Sequence, residues 1–418
     1  MSNNFRINAG ILTPENPQKC SYIKDGALIF NDDGHILYCG QRKHAPLLGS
    51  RKIEVPADAI IIPGLIDCHT HLSQYYVRGR SGDTLLGWLK NHIFPAEHKF
   101  KDPKHAARVS RKFYRRLLSN GVTCAALYTN YRAGVEAAFE EGKRAGLRAV
   151  IGYTLMDRNV PAALRQSPAR ALVECRELYQ KHHQKGGKLS FSVNPRFAPS
   201  CTPGFMRSLG DLVRTHDLHV QTHISENLEE LAEVKKLFPG AGSYAEVYDR
   251  AGLLTPRTLL AHGIHLSRSE RLLIQKRGCA MVHCPSSNLF LHSGRFPLEH
   301  WEVYPRLALG SDVGAGPSFS MFDVMRDAYY VNMMPLSRLF YLATMGGAKA
   351  LGMEKSIGSL QAGKQADLSV IRLSDIQDPS SEELLYDLIF KWDQREIVQV
   401  YVGGRKVWSG ADRRDGGD

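Results

Sequence analysis

Eight short apolar runs, set apart by turn signals and alternating with helical stretches, constrain this chain more than any other feature. They are Ile60 to Ile66 running into Asp67-Cys68-His69-Thr70-His71, then Val122 to Tyr128, Leu147 to Tyr153, Leu189 to Phe197, Leu218 to His223, Thr258 to His262, Cys279 to His283 and Arg306 to Asp312. Helical periodicity fills stretches between them. Lys104 to Ser119 places Val109, Phe113, Leu117 and Leu118 on one apolar face, and Ser267 to Arg277 is a second helix. Strands alternating with helices form parallel βα units, and eight of them predict an α/β fold of the (β/α)8 TIM-barrel type. The competing doubly wound sheet carries a glycine-rich phosphate turn after its first strand, which is missing here.

A barrel of this kind needs roughly 250 residues, and the chain has 418, so a second module is expected. Both ends are strand-rich. Ala27-Leu28-Ile29-Phe30 and His35-Ile36-Leu37-Tyr38 flank the turn signal Asn31-Asp32-Asp33-Gly34, and Ala366 to Ile371 and Ile397 to Val402 lie near the other end, the latter turned by Gly403-Gly404. The economical expectation is a small β-sandwich-like domain built from both termini, 1–60 and 356–411, around a barrel at 61–355, with a disordered tail at 412–418 that has no apolar residue.

The balance of 54 basic against 42 acidic residues gives a net charge of +12. The densest basic patch, Arg111-Lys112 with Arg115-Arg116, falls on the polar face of a predicted helix, where charge serves solvation, so neither nucleic acid nor a membrane is expected as a partner. Eight cysteines without a CxxC pair lack the pattern of a disulfide scaffold, and several fall inside predicted strands; a reducing cytoplasm is the expected compartment. The start, Met1 to Arg6, lacks the basic-then-apolar pattern of a signal peptide, and no apolar run reaches the roughly 18 residues of a spanning helix.

Ionisable residues collect at the ends of the predicted strands, where a barrel's loops form a common mouth. His69 and His71, two apart on a strand, leave the same face and can grip one ion. With His223 and Asp312 they supply three nitrogens and one oxygen, a donor set for zinc first and iron second rather than for calcium or magnesium. Zinc in an open site brings the pKa of its water to about 7, which predicts hydrolysis. Strand four ends in Asn194-Pro195-Arg196-Phe197, with no lysine to bridge a second ion, so one metal per subunit is expected. Glu226, just past His223, is placed to carry protons, or else to open the next helix with Glu229 and Glu230. His262 is expected to face the metal-bound water or the substrate, while His283 is left outside the site. His92, His98, His105, His182 and His183 are expected at the surface.

Pro63 to His71, Thr222 to Glu226 and Gly310-Ser311-Asp312 resemble the metal-dependent amidohydrolase superfamily, in its single-metal deaminase and chlorohydrolase branch. Within that branch His71-Leu72-Ser73-Gln74-Tyr75, Phe94-Pro95-Ala96-Glu97-His98, Pro195-Arg196-Phe197, His223 to Asn227 and His283 to Leu289 resemble the guanine deaminases, in the family's order. The resemblance implies a barrel with a small β-domain, one zinc, a homodimer, and conversion of guanine to xanthine with loss of ammonia. It carries the metal ligands onto His69, His71, His223 and Asp312, and the guanine-holding residues onto Gln74, Arg196, Phe197, Glu226 and His262, with His71, His223 and Asp312 also bordering the substrate. Glu226, Asp312 and His262 are the expected proton carriers. Arg196, which only donates, suits guanine's C6 carbonyl and opposes adenine's amine. The alternatives are 8-oxoguanine or an aminotriazine as substrate, or a scaffold of the same fold without catalysis. The segments Val331 to Leu339 and Tyr128 to Ala145 depart from the family's pattern without touching an expected ligand.

Overall fold

The computed structural model describes residues 3–80, 85–184, 187–374, 379–391 and 393–413. The first apolar run breaks at Gly64, its leading part forming the separate strand Ala59–Pro63 of another sheet. Its second part and the other seven runs form β1 (Leu65–His71), β2 (Val122–Thr129), β3 (Arg148–Leu155), β4 (Leu189–Pro195), β5 (His219–Ile224), β6 (Thr258–His262), β7 (Ala280–His283) and β8 (Leu307–Leu309). They lie side by side in chain order as one sheet. From β3 to β8 the pairing is parallel, with His223 of β5 opposite Ala261 of β6 and Ile224 opposite His262. All residues of the eight strands are buried. Parallel strands covered on both faces read as unbroken apolar runs, which is the pattern the sequence carries. The expected (β/α)8 architecture is the observed one.

The helices between the strands begin and end where local chemistry dictates. Pro103–Ser119 covers the first expected helix. Arg268–Arg277 starts after Ser267, whose hydroxyl accepts from the Glu270 N–H while the Glu270 carboxylate accepts from the Ser267 N–H, a capping box. That helix stops at Gly278, which takes the left-handed conformation. On Pro168–His182 the buried positions Ala171, Glu174, Cys175, Leu178 and His182 repeat at helical spacing. His182 therefore corrects the expectation of a surface histidine: it is 1% exposed and stacks on Phe139 with ring centroids 4.5 Å apart.

By packing, the chain divides into one unit of residues 68–114 and 125–318 and another of 1–67, 115–124 and 319–418. The second holds a mixed eight-stranded sheet in the order Arg405–Ser409, Arg395–Val402, Leu368–Leu373, Ala59–Pro63, Asn4–Asn16, Lys19–Asn31 and Ile36–Gln41, with Ser50–Ile53 alongside Asn4–Asn16. The sheet joins both termini, and Ile7, Ile11, Leu28, Phe30, Ile61, Leu368 and Val370 form its core. Gly410–Arg413 form a short 3-10 turn, so the expected tail at 412–418 begins inside it, and positions 414–418 lie outside the described residues. Among the described residues no helix is long and apolar enough to cross a membrane, and none of the eight cysteines is in a disulfide.

After β8 the chain turns sharply toward β1. The Gly310 N–H donates to the His283 carbonyl at 3.0 Å and the Asp312 N–H to the His69 carbonyl at 2.8 Å. A Cβ at position 310 would stand 2.7 Å from the His69 Cβ and 3.1 Å from its backbone nitrogen, so glycine alone permits this approach. Gly310→Ala is expected to destabilise the protein by about 1–3 kcal/mol, the usual cost of overpacking. Thermal unfolding checks it; a parental melting temperature would mean that β1 can move aside.

Candidate metal centre and pocket

At the C-terminal ends of β1, β5 and β6, and just beyond β8, four imidazoles and a carboxylate converge. His69 and His71 emerge from one face of β1 with ring centroids 5.0 Å apart, and the His223 ring lies 4.8 Å from the first and 5.3 Å from the second. Asp312 Oδ1 is 3.3 Å from His69 Nε2 and 3.2 Å from His71 Nε2. His71 Nε2 and His223 Nε2 stand 3.2 Å apart. One ligand atom each from His69, His71 and Asp312, and likewise from His69, His223 and His262, lie within 4.8 Å of one another. The four residues expected as ligands are thus brought together, and His262 borders the same point.

The protonation states suit a cation. The His223 Nδ1–H donates to the Arg196 carbonyl at 2.6 Å, which leaves the lone pair on Nε2, facing the cluster. Burial holds His69 at about 4 and His223 well below the usual imidazole range, so both are neutral at pH 7. Burial pushes the Asp312 carboxyl up, but the neighbouring His69 and His71 outweigh it and hold the group well below the usual range. Imidazole nitrogens around one carboxylate oxygen are the donor chemistry of a zinc or iron site, and the residues fit such an ion. Tyr128, unforeseen from sequence, packs its ring 4.6 Å from His71 and 5.0 Å from both His69 and His223. Its only sequence signal is its place near the end of an apolar run.

Glu226 and His262 form the proton-handling side. The helix Leu228–Leu237 opens at Asn227, which shares a capping box with Glu230, so helix initiation belongs to those residues and Glu226 lies before it. Glu226 is buried, accepts from Ser293 Oγ at 3.3 Å, and has Oε2 3.6 Å from His262 Nε2. Burial is the main cause that pushes its carboxyl up to about 7. His262 donates from Nδ1 to Asn288 Oδ1 at 2.9 Å, which turns Nε2 toward Glu226 and, at 3.9 Å, Asp312. Burial would lower this imidazole, but Glu226 and Asp312 outweigh it and raise it. His262 (φ 71°) and Asp312 (φ 47°) both adopt left-handed backbone, a strain that clusters at functional sites.

A pocket opens beside these groups, lined by His71, Gln74, Arg196, Phe197, His223, Glu226, His262 and Asp312, with Leu85, Trp88, Leu89 and Leu291 as apolar walls. Every residue expected to border a substrate is on it. The apolar walls and Asn288 escaped the sequence reading, although Asn288 stands inside the quoted string His283 to Leu289. Arg196 is tied by Nη1 to both oxygens of Glu97, at 2.8 and 2.7 Å. His283 lies outside the pocket lining, fully buried and stacked on Phe296 at 4.6 Å.

Asp312→Asn, which removes the anionic donor, is expected to weaken divalent-ion binding by at least about 10–100-fold, the scale already seen for outer-shell changes. Equilibrium dialysis with elemental analysis checks it; unaltered affinity would remove Asp312 from the ligand set.

Residues 60–407 match the amidohydrolase family. Guanine deaminase of Escherichia coli is 33% identical over 418 residues, covering 95% of each chain, and human guanine deaminase is 33% identical over 419 residues, covering 92% of each. Among solved structures, guanine deaminase from C. acetobutylicum with bound guanine superposes with a TM-score of 0.92 at 32% identity, over 97% of this chain and 100% of that one. The barrel, the convergent histidines and aspartate, and a match running through both units have one common explanation: the chain belongs to the amidohydrolase family.

Proposed function

We propose that this protein hydrolyses guanine to xanthine and ammonia, using one divalent ion per subunit, zinc before iron, held by His69, His71, His223 and Asp312. The observation that carries the reading is the pocket itself: a proton carrier, Glu226, and a fixed guanidinium, Arg196, face one cavity beside the histidine and aspartate cluster. The relatives named guanine deaminase, and the solved one with guanine bound, supply the substrate class.

A bound ion would supply water activated near neutral pH, as a Lewis acid does in an open site. The chain's own residues do the rest. Arg196 donates to the C6 carbonyl and so orients the ring, while Phe197 packs on the purine face. Asp312 and His262 accept the proton of the attacking water and hydrogen-bond to the new hydroxyl on C2. Glu226, with its carboxyl at about 7, carries a proton at working pH: it protonates the ring nitrogen beside C2, takes up the proton of the new C2 hydroxyl as the carbonyl forms and passes it to the departing ammonia, after which the water proton held by Asp312 or His262 restores it. Water adds at C2, the C2–N bond breaks, and no oxidant or second substrate is required. The same reading takes the protein as a cytoplasmic homodimer without nucleic-acid or membrane partners.

Purified protein incubated with guanine is expected to lose guanine's ultraviolet absorbance and release one ammonia per ring, with adenine, 8-oxoguanine and a triazine much slower. Preference for another ring would relocate the substrate, and silence on all four with metal bound would favour the scaffold alternative. Glu226→Gln should keep the metal and lower kcat by roughly 10²–10⁴, the scale of a lost proton carrier; near-full turnover would exclude Glu226 from proton transfer.

A further inference from the structure

Glu97 belongs to one of the strings that carry the family resemblance, yet it has no part in the chemistry above. It sits on the short helix Phe94–His98, is 0% exposed, and accepts hydrogen bonds from three side chains. Arg196 Nη1 donates to both oxygens, Gln74 Nε2 to Oε1 at 3.0 Å, and Asn130 Nδ2 to Oε2 at 3.1 Å. Asn130 is pinned at its other end, where Oδ1 accepts from Ser73 Oγ at 2.7 Å.

These bonds have a directional consequence. A carboxylate only accepts, so the Gln74 amide must turn its NH2 toward Glu97 and its oxygen away. That oxygen, Oε1, is buried and accepts no hydrogen bond among the described residues, although Gln74 lines the same pocket as Arg196. A Cβ at Gly314 would lie 1.8 Å from it, so the glycine leaves this oxygen its space. A buried acceptor without a donor is costly unless a ligand supplies one.

We propose that Glu97 is a positioning residue that fixes the order of donor and acceptor on the substrate wall, Arg196 donating and Gln74 Oε1 accepting, so that the pocket reads the lactam edge of a 2-aminopurine. The inference rests on the deaminase reading above and deepens it. Guanine offers an acceptor at C6 and a donor at N1, which complements that order. 2,6-Diaminopurine carries the same 2-amino leaving group but has a donor at C6 and a bare acceptor at N1, and meets the wall with both positions reversed. Glu97→Gln releases the constraint, because an amide at 97 can donate to Gln74 Oε1 and let the Gln74 NH2 turn to the pocket. Arg196 is not the residue to vary, since its removal would strand a buried carboxylate.

The test compares kcat and KM for guanine and 2,6-diaminopurine in wild type, Glu97→Gln, and the exchange Gln74→Glu with Glu97→Gln, with melting temperature and bound metal measured on each. Wild type is expected to favour guanine strongly. In Glu97→Gln the preference should narrow by roughly 10- to 100-fold, mostly through a higher KM for guanine, with metal content unchanged. The exchange keeps one carboxylate and one amide, and its carboxylate at 74 can only accept, so it should recover the guanine preference. A folded, metal-bound Glu97→Gln enzyme with the wild-type ratio overturns the inference, as does a wild type that does not discriminate or an exchange no better than the single variant. If Glu97→Gln does not fold, the exchange decides alone: guanine preference kept supports the inference, while preference lost or no fold assigns Glu97 to the scaffold. A wild type inactive on both purines removes the deaminase reading and this inference with it, whereas an active wild type with an indifferent Glu97→Gln removes this one only.

Discussion

The hydrogen bond from the Asp312 amide to the His69 carbonyl, 2.8 Å long, ties the chain after the last barrel strand to the middle of the first. It brings the two ends of the sheet together and sets the Asp312 carboxylate against the imidazoles of His69 and His71. The approach depends on Gly310, where a side chain would collide with His69, and on a left-handed backbone at Asp312 itself. Neither feature gives strand propensity, and both are costs that the surrounding packing sustains. Barrel closure and assembly of the candidate ion site are therefore one event.

Burial does most of the electrostatic work at this mouth. Desolvation keeps His69 and His223 neutral and pushes Glu226 up to about 7, while Asp312 is held well below the usual carboxylate range by the histidines it touches. Two carboxylates in one pocket are thus driven in opposite directions, Glu226 upward by burial and Asp312 downward by its histidine neighbours. Such a separation is how a site keeps one anion for binding and one group able to trade a proton near neutrality. The tautomers are set one layer out, by the Arg196 carbonyl for His223 and by Asn288 for His262.

The wall opposite the cluster follows the same logic with hydrogen bonds. Arg196, Gln74 and Asn130 all donate to one buried carboxylate, so three side chains from three separate segments are held in single orientations. Isolated, a buried Glu97 would be expensive; paired with Arg196 and two amides, it is satisfied, and the network leaves the Gln74 oxygen without a donor among the described residues.

Much of the molecule is legible in the chain. Apolar runs covered on both faces announce parallel strands, and the two-residue spacing of His69 and His71 places both imidazoles on one face whatever the rest of the fold does. Their number and alternation with helices determined the barrel, and the barrel directed attention to strand ends. What periodicity cannot report is which distant residues meet. Glu97 and Arg196 are 99 positions apart, and His262 and Asn288 are 26 apart. Tyr128 reads as one more residue of an apolar run, and His182 as a polar residue near a helix end, until a neighbouring ring covers it. The sequence by itself determined the strands, their buried faces and the ionisable residues at their ends, because those follow from local spacing. Only the tertiary structure decided protonation, tautomer and the direction of each amide, because these depend on desolvation and on partners that folding brings from elsewhere in the chain.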